Sequence, residues 1–147
     1  MKPIDEVSGE VIAEAIQIHR ALGPGLLESA YEIVLTEAML DRGYDVRRQV
    51  PVDISYRHLR ISGAFRVDLL VDNRLIVELK CVERLLPVHA KQLLTYLRLM
   101  KQPVGLLLNF SGETMKEGIR RLVNNHYPAE NPSAPSAPSA RNESDWS

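Results

Sequence analysis

The residues of this chain best suited to chemistry lie in one short segment, Phe65 to Lys80, which reads FRVDLLVDNRLIVELK. Asp68, Glu78 and Lys80 interrupt two runs otherwise as apolar as a sheet interior, where an unpaired charge is strongly unfavourable. Side chains alternate across a strand, so Glu78 and Lys80 share one face while Val77, Leu79 and Cys81 take the other. A two-residue turn would set Asp68 opposite Val77 and mix charged with apolar residues on both faces. A three-residue loop, Asp72-Asn73-Arg74, instead pairs Val71 with Leu75, Leu69 with Val77, Val67 with Leu79 and Phe65 with Cys81. That register gives one wholly apolar face and sets Asp68 directly across from Glu78. Carboxylates on facing residues have β-carbons about 5 Å apart and repel unless a cation lies between them or one keeps its proton. A hard divalent ion such as Mg2+ or Mn2+ answers that repulsion, with Lys80 beside it to orient or deprotonate a water. The alternative is a solvated sheet face with a surface ion pair, the usual meaning of an isolated Glu-x-Lys; the spaced aspartate and the consistent register favour the site.

The elements that must position these groups can be read from hydrophobic period. Ile4, Val7, Val11, Ala15, Ile18 and Leu22 recur at three- and four-residue steps, predicting a helix that Gly23-Pro24-Gly25 ends. Leu27, Ala30, Tyr31, Val34, Leu35 and Ala38 predict a second, stopping near Gly43. Val46 to Tyr56, Leu59 to Val71 and Leu75 to Val82 have strand composition and form a meander whose first two members are expected to be irregular. Pro87 opens a helix that Pro103 closes. Val104 to Phe110 is a short unbroken apolar run, the mark of a strand buried on both faces, and Glu113 to Asn124 is expected to return to helix. The Pro-, Ser- and Ala-rich stretch from residue 128 to 147 cannot bury a core and is expected to be a disordered tail after a single domain of residues 1–127.

Composition narrows the classes. The chain has 147 residues, 45% hydrophobic and 25% charged, which suits one domain with its own core. No apolar run approaches the roughly 18 residues of a bilayer span, and MKPIDEVSGE lacks the apolar stretch of a signal peptide, so no membrane partner and a cytoplasmic location are expected. One cysteine, Cys81, excludes an intrachain disulfide and a cysteine-based zinc cluster. A net charge of -1 gives no global basic footprint, so a polyanion would have to be held locally or with metal help.

Asp68 followed by Glu78-Leu79-Lys80, on consecutive strands after a helix and before a helix and a strand, resembles the PD-(D/E)XK nuclease superfamily. The resemblance implies an α/β fold with an αβββαβ core, a mixed sheet flanked by helices, here with an extra N-terminal helix. Gln92-Leu-Leu-Thr-Tyr96 is similar to the Q-x-x-x-Y motif of the RecB-like branch. Gly25-Leu-Leu-Glu28-Ser-Ala-Tyr31 resembles the motif that names the GxxExxY family, a bacterial group placed in this superfamily. Val77-Glu-Leu-Lys80, His89 with Gln92 and Tyr96, Gly105 to Phe110 and Gly118 to Arg121 also match, so the likeness runs from about Ile4 to Val123. No proline precedes Asp68, as in divergent branches of the superfamily.

The resemblance implies a metal-dependent nuclease in which Asp68, Glu78, Glu28 and the Leu79 carbonyl ligate Mg2+ or Mn2+ and metal-activated water attacks a phosphodiester. Lys80 would assist the water, Gln92 would orient the water or a phosphate, and Tyr96 would hydrogen-bond within the site. Glu28, in the first turn of its helix, also suits the helix dipole alone. Tyr31 is read as packing and Cys81 as a small core residue. His89 is either a site contact or a capping histidine. Arg66, on the expected face of Asp68, is the leading substrate contact, with pairing to a carboxylate as its alternative. The expected partner is nucleic acid, DNA ahead of RNA, and a homodimer would enlarge the surface that holds it. The rival reading is a nucleic-acid-binding or protein-interaction module that keeps the fold without turnover.

Overall fold

The computed structural model describes residues 2–125; the segment expected to form a disordered tail lies outside the described residues. Two helices, α1 (Ile4–Leu22) and α2 (Glu28–Asp41), precede the meander of β1 (Val46–Tyr56), β2 (Leu59–Val71) and β3 (Leu75–Lys80). Helix α3 (Pro87–Met100), strand β4 (Val104–Asn109), a short 3-10 turn (Lys116–Gly118) and strand β5 (Ile119–Val123) follow. The five strands form one sheet in chain order. Only β3 and β4 run parallel, with α3 as their crossover.

The sheet is the middle of three layers. On one side Ile4, Val7, Val11 and Ala15 of α1 and Tyr31, Leu35 and Met39 of α2 pack against Leu69, Val77, Leu79 and Leu106. On the other, Ala90, Leu93 and Leu97 of α3 meet Val67, Leu70, Ile76 and Leu107. Both faces of β3 and β4 are therefore covered, which explains why each reads as an apolar run rather than an alternation. By contrast, much of β1 and the first half of β2 are exposed as they extend beyond the sheet.

Three expectations need correction. Residues 119–123 do not continue a helix but pair antiparallel with β4, from Leu108 opposite Ile119 to Val104 opposite Val123. Without that strand the outer edge of a doubly covered β4 would leave buried backbone groups unpaired, and β5 also sends Ile119 and Leu122 into the two opposite cores. Gly118 fits the junction because a β-carbon there would meet the Asn109 carbonyl oxygen at 2.2 Å. Second, the three-residue loop does pair Val71 with Leu75 and Leu69 with Val77, but the ladder stops there and the Val67–Leu79 and Phe65–Cys81 pairs do not form. Third, Phe65 and Val67 do not join Leu69 and Val71 on the α1/α2 side; they pack against α3. The change of side occurs at Asp68, between the in-register pairs Arg48–Leu69 and Val50–Val67 and opposite Gln49, which has φ 53°. Alternation holds only while the backbone stays extended, and the left-handed Gln49 breaks it in β1, where Val46 and Val50 likewise join opposite cores.

Candidate active site

Where the β2–β3 ladder ends, the two acids take over its hydrogen bonding. The Asp68 N–H donates to Glu78 Oε1 (2.9 Å), and the Leu79 N–H donates to Asp68 Oδ2 (2.8 Å). Each carboxylate thus bonds the backbone of the opposing strand, and the strands separate to admit them. Glu78 is only 6% exposed. Burial first, and then the charge of Asp68, push its carboxyl up to about 8, against opposing pulls from the Asp68 amide and Lys80. Asp68 is also raised, chiefly by burial, although the Leu79 amide, a bond from Gln49 and the charge of Lys80 act the other way. Two acids of a desolvated pair cannot both be comfortably ionised, which is the electrostatic definition of a cation-seeking site.

Glu28 reaches this site from the first position of α2. Its Oε2 accepts the Cys81 N–H at 3.3 Å, and its charge raises Asp68. Tyr31 explains why the preceding loop holds that position: its hydroxyl donates to the Gly23 carbonyl and accepts the Leu26 N–H (3.1 Å). Its ring is fully buried and stacks on Phe110 at 4.4 Å, so the tyrosine of the Gly25-to-Tyr31 motif is packing and the glutamate is the group that faces the sheet. Cys81 packs partly buried against the α1/α2 core.

Helix α3 supplies the opposite wall. The Tyr96 ring stacks on Phe65 (4.4 Å), its hydroxyl bonds Gln92, and burial followed by the charges of Glu78 and Asp68 raises it. His89 Nδ1 accepts the Leu86 N–H (3.0 Å), so it caps the helix; the ring is held below the ordinary histidine range by burial and then by Lys80, with Glu28 opposing. His89 is therefore at once a cap and a neighbour of the charged groups. Arg66 donates from Nη1 to the Gln49 carbonyl at 3.4 Å. The loop after Lys80 is anchored by buried Asn109, which accepts the Val82 N–H (3.1 Å) and donates to the Val82 carbonyl (2.9 Å).

Three neighbours, Glu32, Arg48 and Gln49, were not among the expected site residues. Glu32, one turn beyond Glu28 on α2, is 5% exposed and binds Arg48 through one oxygen and Gln49 through the other. Its four-residue spacing from Glu28 was a usable signal. The left-handed turn at Gln49 had none, since any residue type but glycine is uncommon there.

Among the described residues, no three His, Cys, Asp or Glu side chains are drawn closely enough together to hold a metal ion. The donor set nevertheless fits a hard divalent cation: two oxygen ligands on facing strands, one of them with its proton retained for want of positive charge. A family model of the PD-(D/E)XK nuclease superfamily matches residues 5–122, most of the chain. The chain belongs to that superfamily. Its fold is of the nuclease type, its members typically use divalent metals, and the superfamily implies a nucleic-acid substrate. No curated protein and no solved structure matches the chain. No helix among the described residues is long and apolar enough to cross a membrane.

Proposed function

We propose that the protein is a metal-dependent nuclease that hydrolyses nucleic-acid phosphodiester bonds at the site between α2, the β2–β3 fork and α3. The observation that carries this reading is Glu78: a buried carboxyl raised to about 8 by desolvation and by Asp68, two residues before a lysine. A carboxylate kept only for structure would be given a cation by the protein itself.

Asp68, Glu78, Glu28 and the Leu79 carbonyl would hold the ion, Mg2+ or Mn2+. Such an ion, when bound, supplies Lewis-acid charge that stabilises the negative charge developing on the phosphate and makes water a better nucleophile. The chain's own groups do the rest. Lys80 and Gln92 would hold the attacking water and a phosphate oxygen in line, with Tyr96 fixing Gln92. His89 and Arg66 are the proposed substrate contacts nearest the site and on the exposed strand pair. The motif Gly25 to Tyr31 and the Gln92/Tyr96 pair support placement in the GxxExxY family and the RecB-like branch. DNA ahead of RNA as substrate, a homodimer to widen the binding surface, a cytoplasmic location and a nuclease domain of residues 1–127 complete the reading.

The test is cleavage of single- and double-stranded DNA and RNA with Mn2+ or Mg2+, comparing the parent with Asp68→Ala. Activity that needs the ion and disappears in the variant supports the proposal; equal activity in both marks a contaminant and removes it.

A further inference from the structure

Gln49 sits in the middle of a strand at φ 53°, a conformation that disfavours side chains other than glycine. A turn can explain such a residue, but Gln49 lies well inside β1, opposite Asp68, between the Arg48–Leu69 and Val50–Val67 pairs and ahead of the register shift between Val52 and Ile54. Its side chain accounts for the distortion. The amide Nε2 donates to Glu32 Oε1 at 2.7 Å and to Asp68 Oδ1 at 3.3 Å. An amide nitrogen carries two hydrogens, so one can go to each carboxylate. Glu32 is in turn fixed from its other side, with Oε2 taking Arg48 Nε at 2.9 Å and Nη2 at 2.8 Å.

We propose that Gln49 is a positioning residue, a clamp anchored through Glu32 and Arg48 that holds the Asp68 carboxylate in the orientation the site requires. With Oδ1 on Gln49 and Oδ2 on the Leu79 amide, both Asp68 oxygens are held, and the side chain cannot rotate without losing one bond. The amide is a neutral spacer between the Asp68 carboxylate and Glu32, whose own charge is met by Arg48. The inference builds on the reading of Asp68 as a site carboxylate, but the clamp itself is visible without metal or substrate.

The decisive variant is Gln49→Gly, because glycine tolerates the left-handed backbone and removes only the amide. A residue needed merely to turn the strand predicts a variant at least as stable as the parent and unchanged in every other respect. A clamp predicts intact folding, about tenfold faster hydrogen exchange at the Leu79 amide once Asp68 is loosened, and Mn2+ binding about tenfold weaker. Gln49→Glu, which puts a carboxylate where the amide stood, should disturb the Leu79 amide at least as much. Unchanged exchange at Leu79 in Gln49→Gly overturns the clamp whatever the protein binds. Faster exchange in a parent that binds no Mn2+ keeps the clamp and removes the nuclease reading instead.

Discussion

Glu32 and Glu78 are buried to nearly the same depth, 5% and 6% exposed, yet the protein provides for them in opposite ways. Glu32 has a guanidinium on one oxygen and an amide on the other. Glu78 has one backbone amide, a second acid beside it and a lysine whose pull does not offset burial, so its carboxyl rises to about 8. A buried carboxylate costs little when its counter-charge is built in and much when it is not. The chain thus supplies counter-charge to one interior acid and leaves the burial of the other uncompensated.

This contrast can be broken at either end. The largest effect should fall on activity: Asp68→Ala or Glu78→Ala is expected to lower turnover by roughly a thousandfold or more, with folding retained, measured by single-turnover cleavage of labelled DNA. Next, Arg48→Ala strips Glu32 of its counter-charge. It should cost about 3 kcal/mol in urea denaturation, because the glutamate stays buried while Arg48 itself is half exposed.

Glu78 should behave in the reverse sense. Its folded pKa lies above its ordinary value of 4.5, so the folded state holds the proton more tightly than the unfolded one. The associated stability is complete below pH 4.5 and is lost as the pH rises to about 8. In metal-free protein, Glu78→Gln should remove that loss and be more stable than the parent by up to about 5 kcal/mol at pH 8.5, with the advantage vanishing near pH 4.5. A Glu78→Gln variant less stable than the parent at both ends of the range would mean that the carboxylate is a structural group like Glu32. The smallest effect sharpens the frame around the pair: Tyr31→Phe keeps the stack on Phe110 but leaves the Gly23 carbonyl and Leu26 amide without the hydroxyl. It should cost about 1 kcal/mol, and a modest fall in turnover would show that the loop aims Glu28.

Much of this was legible before the fold was known, and the reasons are local. The helices α1 and α3 announce themselves through period and through Gly23, Pro87 and Pro103, and the Asp72-Asn73-Arg74 loop follows from the need to keep Leu69, Val71, Leu75 and Val77 on one face. That same alternation failed at Asp68, opposite the left-handed Gln49 of the neighbouring strand, which no pattern in β2 reports. Residues 119–123 depart from the expected helix for a related reason: Lys116 to Val123 has a composition open to either state, and the free edge of β4, a tertiary fact, makes the choice. Asp68, Glu78 and Lys80 stand out by strand alternation, and family likeness adds Glu28, His89, Gln92 and Tyr96 as candidates. Gln49, Glu32 and Arg48 do not stand out, since their role exists only where α2 crosses the strand pair.

The central claim, that the protein leaves Glu78 waiting for a cation, is tested most directly by titrating Mn2+ into the protein at pH 7 in two buffers of different ionisation enthalpy. A carboxyl raised to about 8 is mostly protonated at that pH, so the parent should release close to one proton for each ion bound, and Glu78→Gln should release none. Binding without proton release, or no binding at all, would contradict the account.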